Sequence, residues 1–297
     1  MPISELTHAA AATTAKVATF AKLFDHSVIR PDVTRQEVVA GAETAARLRT
    51  ATLTVQPHYI RFAAPFLKGT GVLLGTVVGF PHGNETPAMK EYQAKTVLDL
   101  GAEEIDMVMN IPALKNSEKD VFLADIQGVV RAADGRIVKV ILENCYLTQE
   151  EKRRACQWIC EAGAHFVKTA TAYAAGGATL DDVRLMHEAV AGRCQVKAAG
   201  GVRQIGEVLD YLRAGARRFG STRSEQFVQA FRGLAEAERN LFGDLPGRPT
   251  ARDRFENFLL AMTKNGSRVT AGSTAHSFLP CSSSLFVPRT SSPNSRR

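Results

Sequence analysis

No uninterrupted apolar run in this chain approaches the ~20 residues needed to cross a bilayer, which excludes a membrane-spanning helix of the ordinary kind. The start is poor in charge and in leucine. Residues 1–21 are rich in alanine and threonine and lack a basic segment followed by a leucine core, so a secretory signal is not expected. A short helical lead-in over 1–21 is. Cysteine is scarce, at Cys145, Cys156, Cys160, Cys194 and Cys281, and no CxxC or Cys/His ligand spacing occurs. An odd count without a framework predicts reduced thiols, a cytoplasmic protein and no structural metal. Acid is missing from the end of the chain. Residues 266–297 hold Arg268, Arg289, Arg296 and Arg297 with no Asp or Glu, and so carry four of the seven net positive charges. Nine serines, three threonines and three prolines fill much of the rest, a composition that predicts a disordered Ser/Arg-rich tail. Basic tails of this kind are more often solvated than bound, so neither nucleic acid nor membrane is an expected partner.

What is present is an alternation of short β-rich runs and helical stretches, the pattern of βα units. Eight candidate strands can be read: Leu23–His26, Ala51–Gln56, Val72–Gly79, Glu104–Met109, Ile137–Leu142, Ala164–Thr169, Gln195–Ala198 and Arg217–Gly220. Amphipathic stretches such as Met89–Leu100 and Leu180–Val190 lie between them, and Thr34, Thr148 and Thr179 stand where N-caps are needed. An open doubly wound sheet usually carries a Gly-rich loop after its first strand, and none follows Leu23–His26. The span 22–265 instead suits an α/β fold of the (β/α)8 TIM-barrel type, for which ~250 residues is typical.

Two lysines close such strands. Lys168 ends Ala164-His165-Phe166-Val167-Lys168, and Lys197 lies 29 residues on, in Gln195-Val196-Lys197-Ala198. Burial disfavours an ammonium, and a second cation nearby disfavours it further, leaving a neutral amine able to attack a carbonyl. A lone lysine at a barrel rim can equally snorkel outward and pair with a carboxylate. On strand four, Asp106 and Val108 point one way while Ile105 and Met107 point the other. An inward Asp106 demands a partner, which Lys168 and Lys197 can supply. Gly200-Gly201 follows strand seven and Gly220-Ser221 follows strand eight. Those two loops are the frequent phosphate site of this architecture, although tight turns need glycine anyway.

These residues fall in a run of motifs that resembles the deoxyribose-phosphate aldolases, class I Schiff-base aldolases. The resemblance covers about Leu23 to Val228 and includes Phe24-Asp25-His26-Ser27-Val28-Ile29-Arg30, Val78-Gly79-Phe80-Pro81-His82-Gly83 and Glu104-Ile105-Asp106-Met107-Val108. It continues through Lys139-Val140-Ile141-Leu142-Glu143, Phe166-Val167-Lys168-Thr169 and Val196-Lys197-Ala198-Ala199-Gly200-Gly201. It implies a (β/α)8 lyase that reversibly cleaves 2-deoxyribose 5-phosphate to acetaldehyde and glyceraldehyde 3-phosphate, a degradative step that needs no metal or organic cofactor. It implies Lys168 as nucleophile, Lys197 as the cation that tunes it and Asp106 as proton shuttle. Asp25 and Thr171 fall where the family lines its pocket. The expected phosphate residues are Gly200, Gly201, Gly220, Ser221 and, as a clamp, Arg223. Barrel aldolases often form dimers, so a homodimer is an assembly open to this chain.

The departures gather near the substrate. Ala172 replaces a glycine, Arg223 follows strand eight, Thr54 stands where many members have cysteine, and the chain ends without a tyrosine. A changed aldehyde substrate, or a barrel that no longer catalyses, are the alternatives these departures leave.

Overall fold

The structure, a computed structural model, describes residues 14–241, with side chains described as far as residue 237. Residues 1–13 of the helical lead-in, the end of the barrel span at 265 and the Ser/Arg tail at 266–297 lie outside the described residues.

Eight parallel strands close on themselves in sequence order: β1 (Phe24–Val28), β2 (Thr52–Val55), β3 (Leu73–Val78), β4 (Glu104–Val108), β5 (Ile137–Ile141), β6 (Phe166–Lys168), β7 (Gln195–Ala199) and β8 (Ala216–Ser221). The helices are α1 (14–21), α2 (Arg35–Leu48), α3 (Ile60–Leu67), α4 (Pro87–Asp99), α5 (Ile111–Lys115), α6 (Lys119–Ala133), α7 (Gln149–Glu161), α8 (Leu180–Val190), α9 (Ile205–Arg213) and α10 (Ser224–Leu241). The chain therefore folds as a (β/α)8 barrel.

Local chemistry starts the helices where expected. Thr34 accepts from the Glu37 amide while the Glu37 carboxylate accepts from the Thr34 amide, and Thr148 and Glu151 repeat that reciprocal cap. Thr179 caps α8 through the Asp182 amide. β1 runs two residues beyond the expected end, to Val28, because it pairs with β2 through Val28 opposite Val55.

Strand alternation divides the interior from the helix layer. Phe24 and Phe219 face outward with ring centroids 5.5 Å apart, and Phe227 of α10 lies 5.7 Å from Phe24. Phe20 of α1 stacks on Phe231 at 4.1 Å, so α1 and α10 share an aromatic seam along β1 and β8. A charged pair serves the same purpose elsewhere in the helix layer. The fully buried Lys90 of α4 reaches Asp125 of α6 at 2.8 Å and donates to the Val108 carbonyl at 2.9 Å, fixing the C-terminal end of β4.

The expectation of five reduced thiols is corrected. Cys160, near the end of α7, and Cys194, just before β7, are joined as a disulfide with Cα atoms 5.7 Å apart. The pairing spans 34 residues, so it follows from the packing of α7 beside β6 and β7 rather than from any local spacing. Among the described residues no helix is long and apolar enough to cross a membrane.

Candidate active site

The inward face of a barrel strand ordinarily carries bulky branched apolar residues. Here alternation turns Asp25 on β1, Glu104 and Asp106 on β4, Lys139 on β5, Lys168 on β6, Lys197 on β7 and Arg218 on β8 into one buried cluster. The ladder register explains how residues so far apart in sequence meet: Asp106 lies opposite Lys139, Lys168 opposite Lys197, and Lys197 opposite Arg218.

Asp106 is the hub. One of its oxygens accepts from Lys139 at 3.0 Å; the other accepts from Lys168 at 2.7 Å and from Lys197 at 2.6 Å. Lys197 also reaches Asp25 at 2.5 Å, and Arg218 holds the other Asp25 oxygen at 2.7 Å. Lys139 completes the ring with Glu104 at 2.6 Å and Asp25 at 3.5 Å, while Arg218 approaches Glu104 at 3.5 Å.

The charges decide which lysine is reactive. With every group ionised, Lys139, Lys168, Lys197 and Arg218 face only Asp25, Glu104 and Asp106. The cluster is balanced when one cation loses its proton, and an excess charge buried in low dielectric is expensive. Lys139 touches three carboxylates and Lys197 two; Lys168 touches Asp106 alone. Lys168 is therefore the cation held least firmly. Its burial lowers the ammonium's pKa to about 8, with Lys197 and Lys139 pushing the same way against the partial opposition of Asp106. Lys139 moves in the opposite direction: burial disfavours its charge, but Asp106, Asp25 and Glu104 outweigh that and hold it above the ordinary lysine range. Burial alone would raise Asp106 and Asp25. The surrounding cations outweigh it and keep both carboxylates well below their usual range. Lys168 therefore yields its neutral amine at a much lower pH than an ordinary lysine does.

Of the remaining sequence candidates, Asp25 is fully buried and spends its oxygens on Lys197, Lys139 and Arg218. Thr171 lies in the loop after β6, where its hydroxyl and amide both donate to the Glu143 carboxylate. Gly200 and Gly201 take φ of 87° and 75°, the left-handed region glycine adopts freely. A methyl on Gly220 would stand 3.2 Å from Lys197 Cε, so glycine there leaves room for the lysine stem. Ser221 accepts from the Arg223 amide at 2.9 Å, and the Arg223 side chain is exposed at the rim. Ala172 adopts φ 71°, so the turn keeps its left-handed geometry without the glycine. Such a conformation costs an alanine about 1–2 kcal/mol. Among the described residues no group of three or more His, Cys, Asp or Glu side chains is arranged to hold a metal ion.

Glu104, Lys139 and Arg218 were not singled out from the sequence as site residues. The signal was period two: Glu104 precedes Asp106 by two, and Arg218 precedes Gly220 by two, so each shares its face.

Residues 19–235 match the family described as DeoC/LacD family aldolase. A Staphylococcus epidermidis protein named deoxyribose-phosphate aldolase is 46% identical over 209 residues, 70% of this chain and 95% of that one. A Bacillus subtilis protein of the same name is 44% identical over 210 residues, covering 70% and 94%. Among solved structures, a putative deoxyribose-phosphate aldolase from Coccidioides immitis superposes with a TM-score of 0.70 at 32% identity, over 78% of this chain and 98% of that one. The matched segment holds all eight strands and every member of the lysine–carboxylate cluster, and the chain belongs to the DeoC/LacD aldolase family.

Proposed function

We propose that this chain is a cytoplasmic class I aldolase that reversibly cleaves 2-deoxyribose 5-phosphate to acetaldehyde and glyceraldehyde 3-phosphate. The observation that carries the reading is the single lysine, Lys168, left in excess in a cluster otherwise balanced in charge. The names of the relatives supply the substrate. A phosphorylated sugar is too polar to leak through a bilayer, which suits a cytoplasmic location.

In the cleavage direction the neutral Lys168 amine adds to the C1 aldehyde of the open-chain sugar. Asp106, already ionised and 2.7 Å from Nζ, takes up the proton released and returns it, directly or through water, as the carbinolamine loses hydroxide. The resulting iminium draws electrons from the C2–C3 bond as the C3 hydroxyl gives up its proton to water. Glyceraldehyde 3-phosphate leaves, and the enamine remaining on Lys168 gains a proton at carbon and is hydrolysed to acetaldehyde. Lys197, paired with Asp25 and Asp106, disfavours a second positive charge on Lys168 and so favours the neutral nucleophile. The loops after β7 and β8, with Gly200, Gly201, Gly220, Ser221 and the exposed Arg223, are the groups we assign to the phosphate.

Two measurements test this. The enzyme should prefer 2-deoxyribose 5-phosphate over 2-deoxyribose by at least about a hundredfold in kcat/KM, because charge-assisted bonds to phosphate are lost with the latter. Equal efficiency would remove the phosphate assignment. Lys197→Met should move the alkaline requirement upward: deleting a cation that disfavours the Lys168 ammonium raises that pKa, so a higher pH is needed to free the amine. The check is the pH profile of kcat/KM, and an unmoved rising limb would take Lys197 out of this role.

A further inference from the structure

The loop between β6 and α8, residues 169–179, is tied down at three places. Near its start Thr171 donates to Glu143, just after β5, and accepts from the Tyr173 amide at 3.0 Å. At its end the Ala178 amide donates to Gly200, and the Ala178 carbonyl accepts from Tyr211 of α9 at 2.9 Å. Between these anchors Tyr173 makes a longer reach. Its hydroxyl donates to the Ile29 carbonyl at 2.9 Å, across 144 residues, and its ring meets Phe80 edge-on at 5.3 Å.

Topology gives these contacts their meaning. In a closed eight-stranded barrel ordered β1 to β8, the strand opposite β6 is β2, flanked by β1 and β3. Ile29 follows β1 and Phe80 follows β3. Tyr173 thus leaves the strand that carries Lys168, crosses the barrel mouth and docks on the far rim. That rim is itself held, since Gln56 after β2 donates to the carbonyls of Ile29 and Arg30. Beneath the crossing Lys168 is 4% exposed and Asp106 1%. The stretch from Tyr173 to the Ala178 anchor is Ala174-Ala175-Gly176-Gly177, where the two glycines let the backbone pack closely on Cys145 and on Gly200.

We propose that Tyr173 is a positioning and specificity-determining residue, a latch that holds the β6 loop across the mouth and forms the outer wall for the phosphorylated three-carbon half of the substrate. The inference rests on the aldolase reading above. Acetaldehyde, two carbons long, fits beneath the latch and needs little from it. The longer partner must pack against the ring and requires the loop held in place. Closure also keeps water from the enamine until that partner has bound or left.

The test uses Tyr173→Phe, which keeps the ring and deletes the bond to Ile29, and Tyr173→Ala, which deletes both. Amide hydrogen exchange over residues 170–177 reports the latch whatever the substrate, and both variants should exchange faster there while the rest of the barrel is unchanged. Tyr173→Phe should lower kcat/KM for 2-deoxyribose 5-phosphate about five- to tenfold, mainly through KM, as expected for one net hydrogen bond. Tyr173→Ala should lower it further and widen acceptance to bulkier acceptor aldehydes. Borohydride labelling of Lys168 by acetaldehyde should remain at the wild-type level in both. Unchanged loop exchange, or an unchanged KM and acceptor range, would overturn the proposal. So would loss of acetaldehyde labelling, because Tyr173 would then act on the Schiff base itself. A wild-type protein that neither turns over nor labels would instead count against the aldolase reading, and loop exchange would still judge the latch.

Discussion

Lys168→Met is expected to abolish turnover, by roughly four orders of magnitude or more, and to leave a protein at least as stable as the original. The activity loss follows because no other lysine in the cluster is free to attack. Lys139 and Lys197 stay engaged with two or three carboxylates each. The stability result is the less obvious half. In the folded protein the Lys168 ammonium is disfavoured, with its pKa at about 8 against 10.5 for an exposed lysine. Between those values the unfolded chain binds the extra proton, so stability rises with pH across that window. Below pH 8 the full handicap of a protonated Lys168 is present, on the order of 1–3 kcal/mol. Methionine keeps the apolar stem, drops the charge, and leaves Lys139, Lys197 and Arg218 balanced against Asp25, Glu104 and Asp106. Thermal melting near pH 7 should show an unchanged or higher Tm. A large drop would mean that Lys168 is a structural cation and that the charge argument fails.

Asp106→Asn is the second large effect, and it separates two roles for the hub. The carboxylate stabilises the Lys168 ammonium, so removing its charge lowers the Lys168 pKa and makes more neutral amine at pH 7. If Asp106 were only an electrostatic restraint, the variant would attack carbonyls faster. As a proton carrier its loss should instead slow turnover by ~10²–10⁴-fold. Stability should fall as well, by about 3–5 kcal/mol, since three ammonium groups lose the carboxylate they share. Steady-state rates together with denaturant melts distinguish these outcomes. Undiminished turnover in a folded variant would dismiss Asp106 as proton carrier.

The chain discloses its barrel through alternation and caps: each expected strand is present, and α8 occupies Leu180–Val190 as read. Lys168 and Lys197 were legible as charges closing apolar runs, and Asp106 as a charge within one whose alternation turns it inward. Lys139 and Arg218 were harder to read as site residues, since their meaning lies in the register. Lys139 matters because it sits opposite Asp106, and Arg218 because it sits opposite Lys197. No local pattern states those pairings. The same holds for Cys160 with Cys194 and for Tyr173 with Ile29, contacts between segments 34 and 144 residues apart. Ala172 illustrates another limit: the sequence shows an alanine in place of a glycine, and only the backbone reveals that it adopts a positive φ.

The most direct test of the central claim is reductive trapping. The full-length protein would be mixed with 2-deoxyribose 5-phosphate, reduced with borohydride, and followed by intact mass and peptide mapping. A substrate-dependent adduct on Lys168, absent from Lys168→Met, is the predicted result. An adduct on Lys139 or Lys197 in its place, or none in protein shown to be folded, would contradict the account.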